Sequence, residues 1–235
     1  MKKLLLVVFG FSSFFAVAQT GYDITIHLKN CPDTLAYLTY YQFDKTLIKD
    51  TCTSIKDGKI VFTGKKKLEK GIYSLVSQKK TIYFDFFVDD NTQKLELKTE
   101  ASPNISKELT AVNSPAENEF FRYVEFINGQ NNEFMAFKDK NKFLNKKDSL
   151  ALTKKQNDIE KTIRNYEEQF LARHKGSYIG DVINLKIEKT LSEIPKASNG
   201  RPDSIKAYNY YRKHYWDDVN FADEGTMRNP FSMLS

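Results

Sequence analysis

From Tyr22 onward the chain alternates apolar and polar side chains: Tyr22, Ile24, Ile26 and Leu28 against Asp23, Thr25, His27 and Lys29. Such a period of two is what a strand with one buried face requires. His27 then falls on the polar side, exposed and without metal-ligand partners at suitable spacing. Leu35 to Phe43, Thr46 to Ile55 and Lys59 to Gly64 continue the pattern, with Asp44-Lys45 and Lys56-Asp57-Gly58 as turns between successive hairpins. Gly71 to Gln78, Thr81 to Val88 and Lys94 to Thr99 complete a run of short strands. Strands at this spacing predict an antiparallel β-sandwich or open barrel up to Val112.

The period then changes. Ser114-Pro115-Ala116-Glu117 places an N-cap serine, a proline at the first helical position and a glutamate at the third, predicting a capping box between Ser114 and Glu117. Phe120, Phe121, Val124 and Ile127 form the apolar face of that helix, which should stop near Asn128-Gly129. A long amphipathic helix is expected from Asn132 to His174, with a break near Asn145, followed by a helix over Ile179 to Leu191, a polar loop from Pro195 to Pro202 and a last helix from Asp203 to Asp217. The fold class is therefore α+β: a β-sandwich at 19–112 followed by an α-helical region at 113–235.

The last helix is dense in aromatics. Tyr208, Tyr211 and Tyr215 recur at helical spacing beside Trp216, a stripe that either packs on a neighbouring element, the expected use, or forms an interaction surface. His174 and His214 have no evident carboxylate at the next helical turn and read as surface residues, not general bases. Asp217, Asp218, Asp223 and Glu224 form an acidic tail, but their spacing matches no calcium loop, so no metal site is assigned.

Composition adds location. Lys2 and Lys3, the apolar stretch Leu4 to Phe15 and Ala16-Val17-Ala18 have the order of a secretory signal peptide over residues 1–18. The apolar stretch is shorter than the roughly 20 residues of a membrane helix, so no transmembrane segment is expected in the mature chain. Loss of that segment, with Lys2 and Lys3, leaves 34 basic and 30 acidic side chains and lowers the formal charge from +6 to +4. A surface so mixed in sign is not a nucleic-acid footprint. Export to the periplasm or cell envelope brings Cys31 and Cys52 into an oxidising compartment. They form either a structural disulfide, contributing roughly 3 kcal/mol by loop closure, or two half-buried thiols. Neither sits in the Cys-x-x-Cys context of a catalytic dithiol.

These residues carry a family resemblance. Asp50-Thr51 to Lys59-Ile60-Val61-Phe62-Thr63-Gly64, then Gly71-Ile72-Tyr73 and Val112-Asn113-Ser114, resemble the N-terminal domain of unknown function of secreted TlpA-like thiol-disulfide oxidoreductases. His214-Tyr215-Trp216-Asp217-Asp218-Val219-Asn220-Phe221-Ala222-Asp223-Glu224 with Arg228-Asn229-Pro230-Phe231 is similar to the helical linker that follows in those proteins. The resemblance implies a sandwich leading through a linker to a thioredoxin-like domain with a Trp-Cys-x-x-Cys dithiol. That dithiol is missing from this sequence, and the helical region ends abruptly at Ser232 to Ser235, as a truncated one would. No catalytic residue and no cofactor is carried over. The expectation is a non-catalytic accessory portion of an envelope oxidoreductase that positions a thioredoxin-like domain or redox partner. The alternative is a stand-alone binding module for a peptide, glycan or envelope component. An unrelated hydrolase is a third class, without a G-x-S-x-G elbow or His-Glu metalloprotease motif to support it.

Overall fold

The structure is a computed structural model that describes residues 21–141, 146–187, 195–217 and 219–230. The proposed signal peptide, the break near Asn145, the end of the helix expected to reach Leu191, Asp218 and the segment from Phe231 to Ser235 lie outside the described residues. Eight strands come first: β1 (Tyr22–Lys29), β2 (Ala36–Gln42), β3 (Lys45–Cys52), β4 (Lys59–Gly64), β5 (Gly71–Ser77), β6 (Ile82–Val88), β7 (Lys94–Glu100) and β8 (Thr110–Ala111). Four helices follow: α1 (Pro115–Lys140), α2 (Lys146–Arg173), α3 (Tyr178–Lys186) and α4 (Ser204–His214). Short 3-10 turns lie at Ile105–Lys107 and Glu224–Met227. The protein is thus α+β, with an N-terminal β region and a helical C-terminal region.

The strands form two four-stranded sheets, ordered β4-β1-β7-β8 and β3-β2-β5-β6. In the first, β1 turns Ile24, Ile26 and Leu28 inward while Asp23, Thr25 and His27 remain outside, and Leu95 and Leu97 of β7 join the buried face. Leu38, Tyr73, Leu75 and Phe86 meet them from the second sheet in the same hydrophobic core. Tyr73 stacks on Phe86 with ring centroids 6.3 Å apart, and its hydroxyl donates to the Glu69 carbonyl at 2.9 Å.

Two pairings depart from a run of antiparallel hairpins. Strands β3 and β4 belong to different sheets, so the Lys56-Asp57-Gly58 turn does not join a hairpin of the two; β4 pairs with β1 instead, Ile24 opposite Phe62. The turn itself is as the sequence implies, with Asp57 at φ 51° and Gly58 at φ 72°, the left-handed pair of a tight two-residue turn. Strand β1 also pairs with β7 in parallel, Ile24 opposite Leu95. A parallel neighbour needs a long crossover, and here the intervening chain supplies it by building the whole second sheet together with β4.

Strand β5 is buried on both faces. Its inner face meets the first sheet; its outer face lies beneath the helices, which is why Gly71-Ile72-Tyr73-Ser74-Leu75-Val76 has no polar alternation. Phe87 on β6 joins the two layers. It lies edge-on to Phe120 of α1 (6.1 Å, 88°) and packs against Tyr178 of α3 (6.2 Å). Sandwich and helices therefore share one core.

Helix α1 passes through Gly129 to Lys140 and does not end there. An interior glycine costs a helix only about 1 kcal/mol relative to alanine, and pairing with α2 offsets that cost: Phe126 stacks on Tyr166 at 3.9 Å, and Tyr123 packs on Phe170 at 5.1 Å. The turn at Glu224–Met227 straps back across the sandwich. Arg228 O accepts from Ile72 N at 2.7 Å, Met227 O accepts from Phe43 N at 3.1 Å, and Tyr178 Oη donates to Gly225 O at 3.2 Å.

Candidate functional site

A cleft of about 500 Å³ opens where the outer face of the second sheet meets the helices. Ile72, Ile82 and Phe84 form its sheet wall, and Phe121, Val124, Ile127 and Ile183 the helical wall. Pro103, Ile105 and Leu109 close it from the segment between β7 and β8. A large apolar concavity with a few convergent polar groups is the usual form of a small-molecule site.

Two polar clusters reach this cleft. Asp85 on β6 accepts from Ser74 Oγ at 2.6 Å and from Tyr41 Oη at 3.3 Å. Burial pushes the Asp85 carboxyl above its usual range, while those donors work in the opposite direction. Burial together with the Asp85 charge pushes the Tyr41 hydroxyl up to about 12. On the helical wall, Lys186 Nζ donates to Tyr123 Oη at 2.9 Å and to Glu167 Oε1 at 3.3 Å; Tyr123 Oη also donates to Glu167 Oε1 at 2.8 Å. Burial, reinforced by Glu167, holds the Tyr123 phenol firmly protonated. Lys186 and Tyr123 line the cleft; Glu167 does not.

Sequence reasoning did not find this cleft. Asp85, Tyr123, Glu167 and Lys186 come from four elements and share no motif. The one local signal is Lys186 itself, a charged residue set among the apolar Val182, Ile183, Leu185 and Ile187.

The sequence-based candidates lie elsewhere. Cys31 and Cys52 are free, half-buried thiols whose Sγ atoms donate to the carbonyls of Asp33 (3.8 Å) and Ser54 (3.6 Å). Burial pushes the Cys31 thiol up. The aromatic stripe of α4 is not covered as expected: the helix has no buried residue, and Tyr208 and Trp216 are 59% and 44% exposed. Tyr211 and Tyr215 are half-buried. Tyr211, Tyr215, Trp216 and Phe221 form a chain of edge-to-face rings with successive centroids 5.1, 4.5 and 5.4 Å apart.

Three readings of charged residues change. His214 does have a carboxylate at the next turn, its Nδ1 lying 2.6 Å from Asp217 Oδ2. His174 is half-buried, its ring on Phe170 at 4.3 Å and its Nε2 3.9 Å from Glu119 Oε2; burial lowers its pKa. Glu117 completes no capping box. Ser114 Oγ accepts from Glu117 N at 3.2 Å as expected, but the glutamate side chain accepts from Phe87 N on β6 at 3.0 Å. His27 lies on the outer face of β1 as expected but is half-buried there, its Nε2 3.4 Å from Glu96 Oε1. Asp223, counted in the acidic tail, is used structurally: Oδ1 accepts from Gly225 N at 2.9 Å and Oδ2 pairs with Lys70. Among the described residues no group of three His, Cys, Asp or Glu is placed to hold a metal ion, and no helix is long and apolar enough to cross a membrane.

Fold and cleft define an α+β protein whose sheet sandwich is roofed by helices over an apolar concavity. Residues 22–120 match a domain family described as a domain of unknown function, DUF4369. That span takes in the sandwich and the first turns of α1, ending at Phe120 beside Phe87. No curated protein and no solved structure matches the chain.

Proposed function

We propose that the chain is a non-catalytic accessory portion of a thiol-disulfide oxidoreductase of the periplasm or cell envelope, positioning a thioredoxin-like domain or redox partner. The observation that carries this reading is the exposed aromatic surface of α4 and the residues that follow it, where Tyr208 and Trp216 present apolar area. Exposed aromatic clusters of this kind favour protein contacts. The thiols support it from the other direction: a redox nucleophile has a depressed pKa, whereas burial raises that of Cys31.

In the test, the purified chain is expected to show no turnover in insulin reduction. An isolated thioredoxin-like domain of the TlpA-like type should bind it, and a Tyr208→Ala, Trp216→Ala double variant should weaken binding at least tenfold. Turnover lost on replacing Cys31 and Cys52, or binding indifferent to the double variant, would refute the accessory role. The second reading, a stand-alone envelope binding module, is favoured by the apolar cleft between β6 and the helices.

A further inference from the structure

The cleft selects for the chemistry of its guest. Its walls are hydrocarbon, and among its described lining residues the groups able to form polar contacts through their side chains are few: Tyr83, whose hydroxyl already donates to Asp33 at 2.7 Å, and Asp85 from β6, Ser106 from the 3-10 turn, Asn128 and Tyr123 from α1, and Lys186 from α3. A guest body rich in donors and acceptors would lose more hydration than these groups return. An extended peptide is disfavoured for a second reason. β6 is the outer strand of its sheet, but its Phe87 N–H is already bonded to Glu117, so an added strand finds that donor taken.

Charge then orients the guest. Lys186 is the sole basic group among the described lining residues. Its ammonium has three protons; one goes to Tyr123 and one to Glu167, leaving a third, and the side chain is 29% exposed. Glu167 stands behind Tyr123, outside the lining. Asp85 faces the cavity from the opposite wall, but Ser74 and Tyr41 hold its oxygens and burial favours its neutral form. The cleft thus pairs an apolar body with one cationic anchor, and its volume lies within the roughly 300–1,000 Å³ of small-molecule sites.

We propose that this cleft binds an amphiphile with a hydrocarbon chain and a single anionic head group, the chain lying against β6 and α1 and the head pairing with Lys186. A free fatty acid and a lysophospholipid share this chemistry. Ligand binding here is independent of the accessory role: a protein that positions a redox domain need not hold an amphiphile, and the reverse.

The test is equilibrium binding of palmitate, 1-palmitoyl-lysophosphatidylglycerol and the uncharged hexadecanol to the full chain, the two anions below their critical micelle concentrations and hexadecanol below its solubility limit. Palmitate or the lysophospholipid should bind at one to one, and whichever is tighter names the source. Lys186→Gln should weaken that anion about tenfold while leaving hexadecanol binding unchanged. Val124→Trp and Ile127→Trp, at half-buried positions where added volume enters the cleft, should each abolish binding in protein whose circular dichroism is native. Failure of both anions to bind the native-like wild type overturns the proposal. So does an affinity that neither Lys186→Gln nor the tryptophan variants change.

Discussion

Phe87→Ala is expected to lower the stability of the whole protein by about 3–5 kcal/mol, the usual range for removing a buried phenylalanine ring. Phe87 is 1% exposed and lies between Phe120 and Tyr178, so its loss opens a void at the seam of sandwich and helices. For a chain of this size each kcal/mol moves the melting temperature by about 2–4 °C, giving a fall of roughly 10 °C. The informative part is the shape of the transition. Because the buried residues of both layers belong to one cluster, unfolding followed by near-ultraviolet and far-ultraviolet circular dichroism should remain one coincident step. A sandwich transition unmoved by the substitution, with an earlier separate loss of helix, would show that the layers do not share a core.

The second large effect belongs to Glu117. It is fully buried, Oε1 accepts from Phe87 N, and Oε2 has no hydrogen-bond partner among the described residues. Burial drives its pKa well above the ordinary value, with the Asp89 charge adding to the rise and the Phe87 N–H opposing it. The sign follows from proton counts. As pH climbs past about 4.3, the unfolded chain releases this proton while the folded chain keeps it, so the folded state binds more protons and stability falls. The loss continues until the folded pKa is passed, at about 1.4 kcal/mol for each unit of elevation.

Glu117→Gln retains a carbonyl oxygen for Phe87 N and cannot ionise. Urea unfolding of both proteins at pH 4 and pH 8 should therefore show the glutamine variant gaining on the wild type as pH rises. Any cost of burying the extra amide is the same at both values, and Asp85, which shifts in the same direction, is common to both proteins. Wild-type and variant stabilities that stay a constant distance apart would mean that Glu117 ionises freely in the folded protein.

Glu117 also shows where local sequence stops being informative. Ser114-Pro115-Ala116-Glu117 reads as a capping box, and the serine half forms. The glutamate half is lost because an outward N–H on the edge of β6 competes for the same carboxylate, a partner 30 residues away. Strand β1 was legible because its two faces meet different surroundings, core and water. Its parallel pairing with β7 was not, since the alternation is the same whichever neighbour it takes. Helix α1 outruns Gly129 for a similar reason: the contacts that sustain it come from Tyr166 and Phe170 on α2. The aromatic stripe of α4 had the spacing of a buried face, but helical periodicity says which residues lie together, not whether anything covers them. The cleft was the least legible feature, because Asp85 and Lys186 meet only once sheet and helices are stacked.

The strap at Glu224–Met227 has a kinetic consequence. The N–H that opens β5, the strand buried on both faces, is satisfied by Arg228, and the end of β2 by Met227. Ile72 and Arg228 are 156 residues apart and Phe43 and Met227 are 184 apart, so these two bonds close long loops, and the entropy of that closure must be met before they form. Until residue 228 has been delivered the Ile72 N–H lacks its partner, although β5 is already paired with β2 and β6.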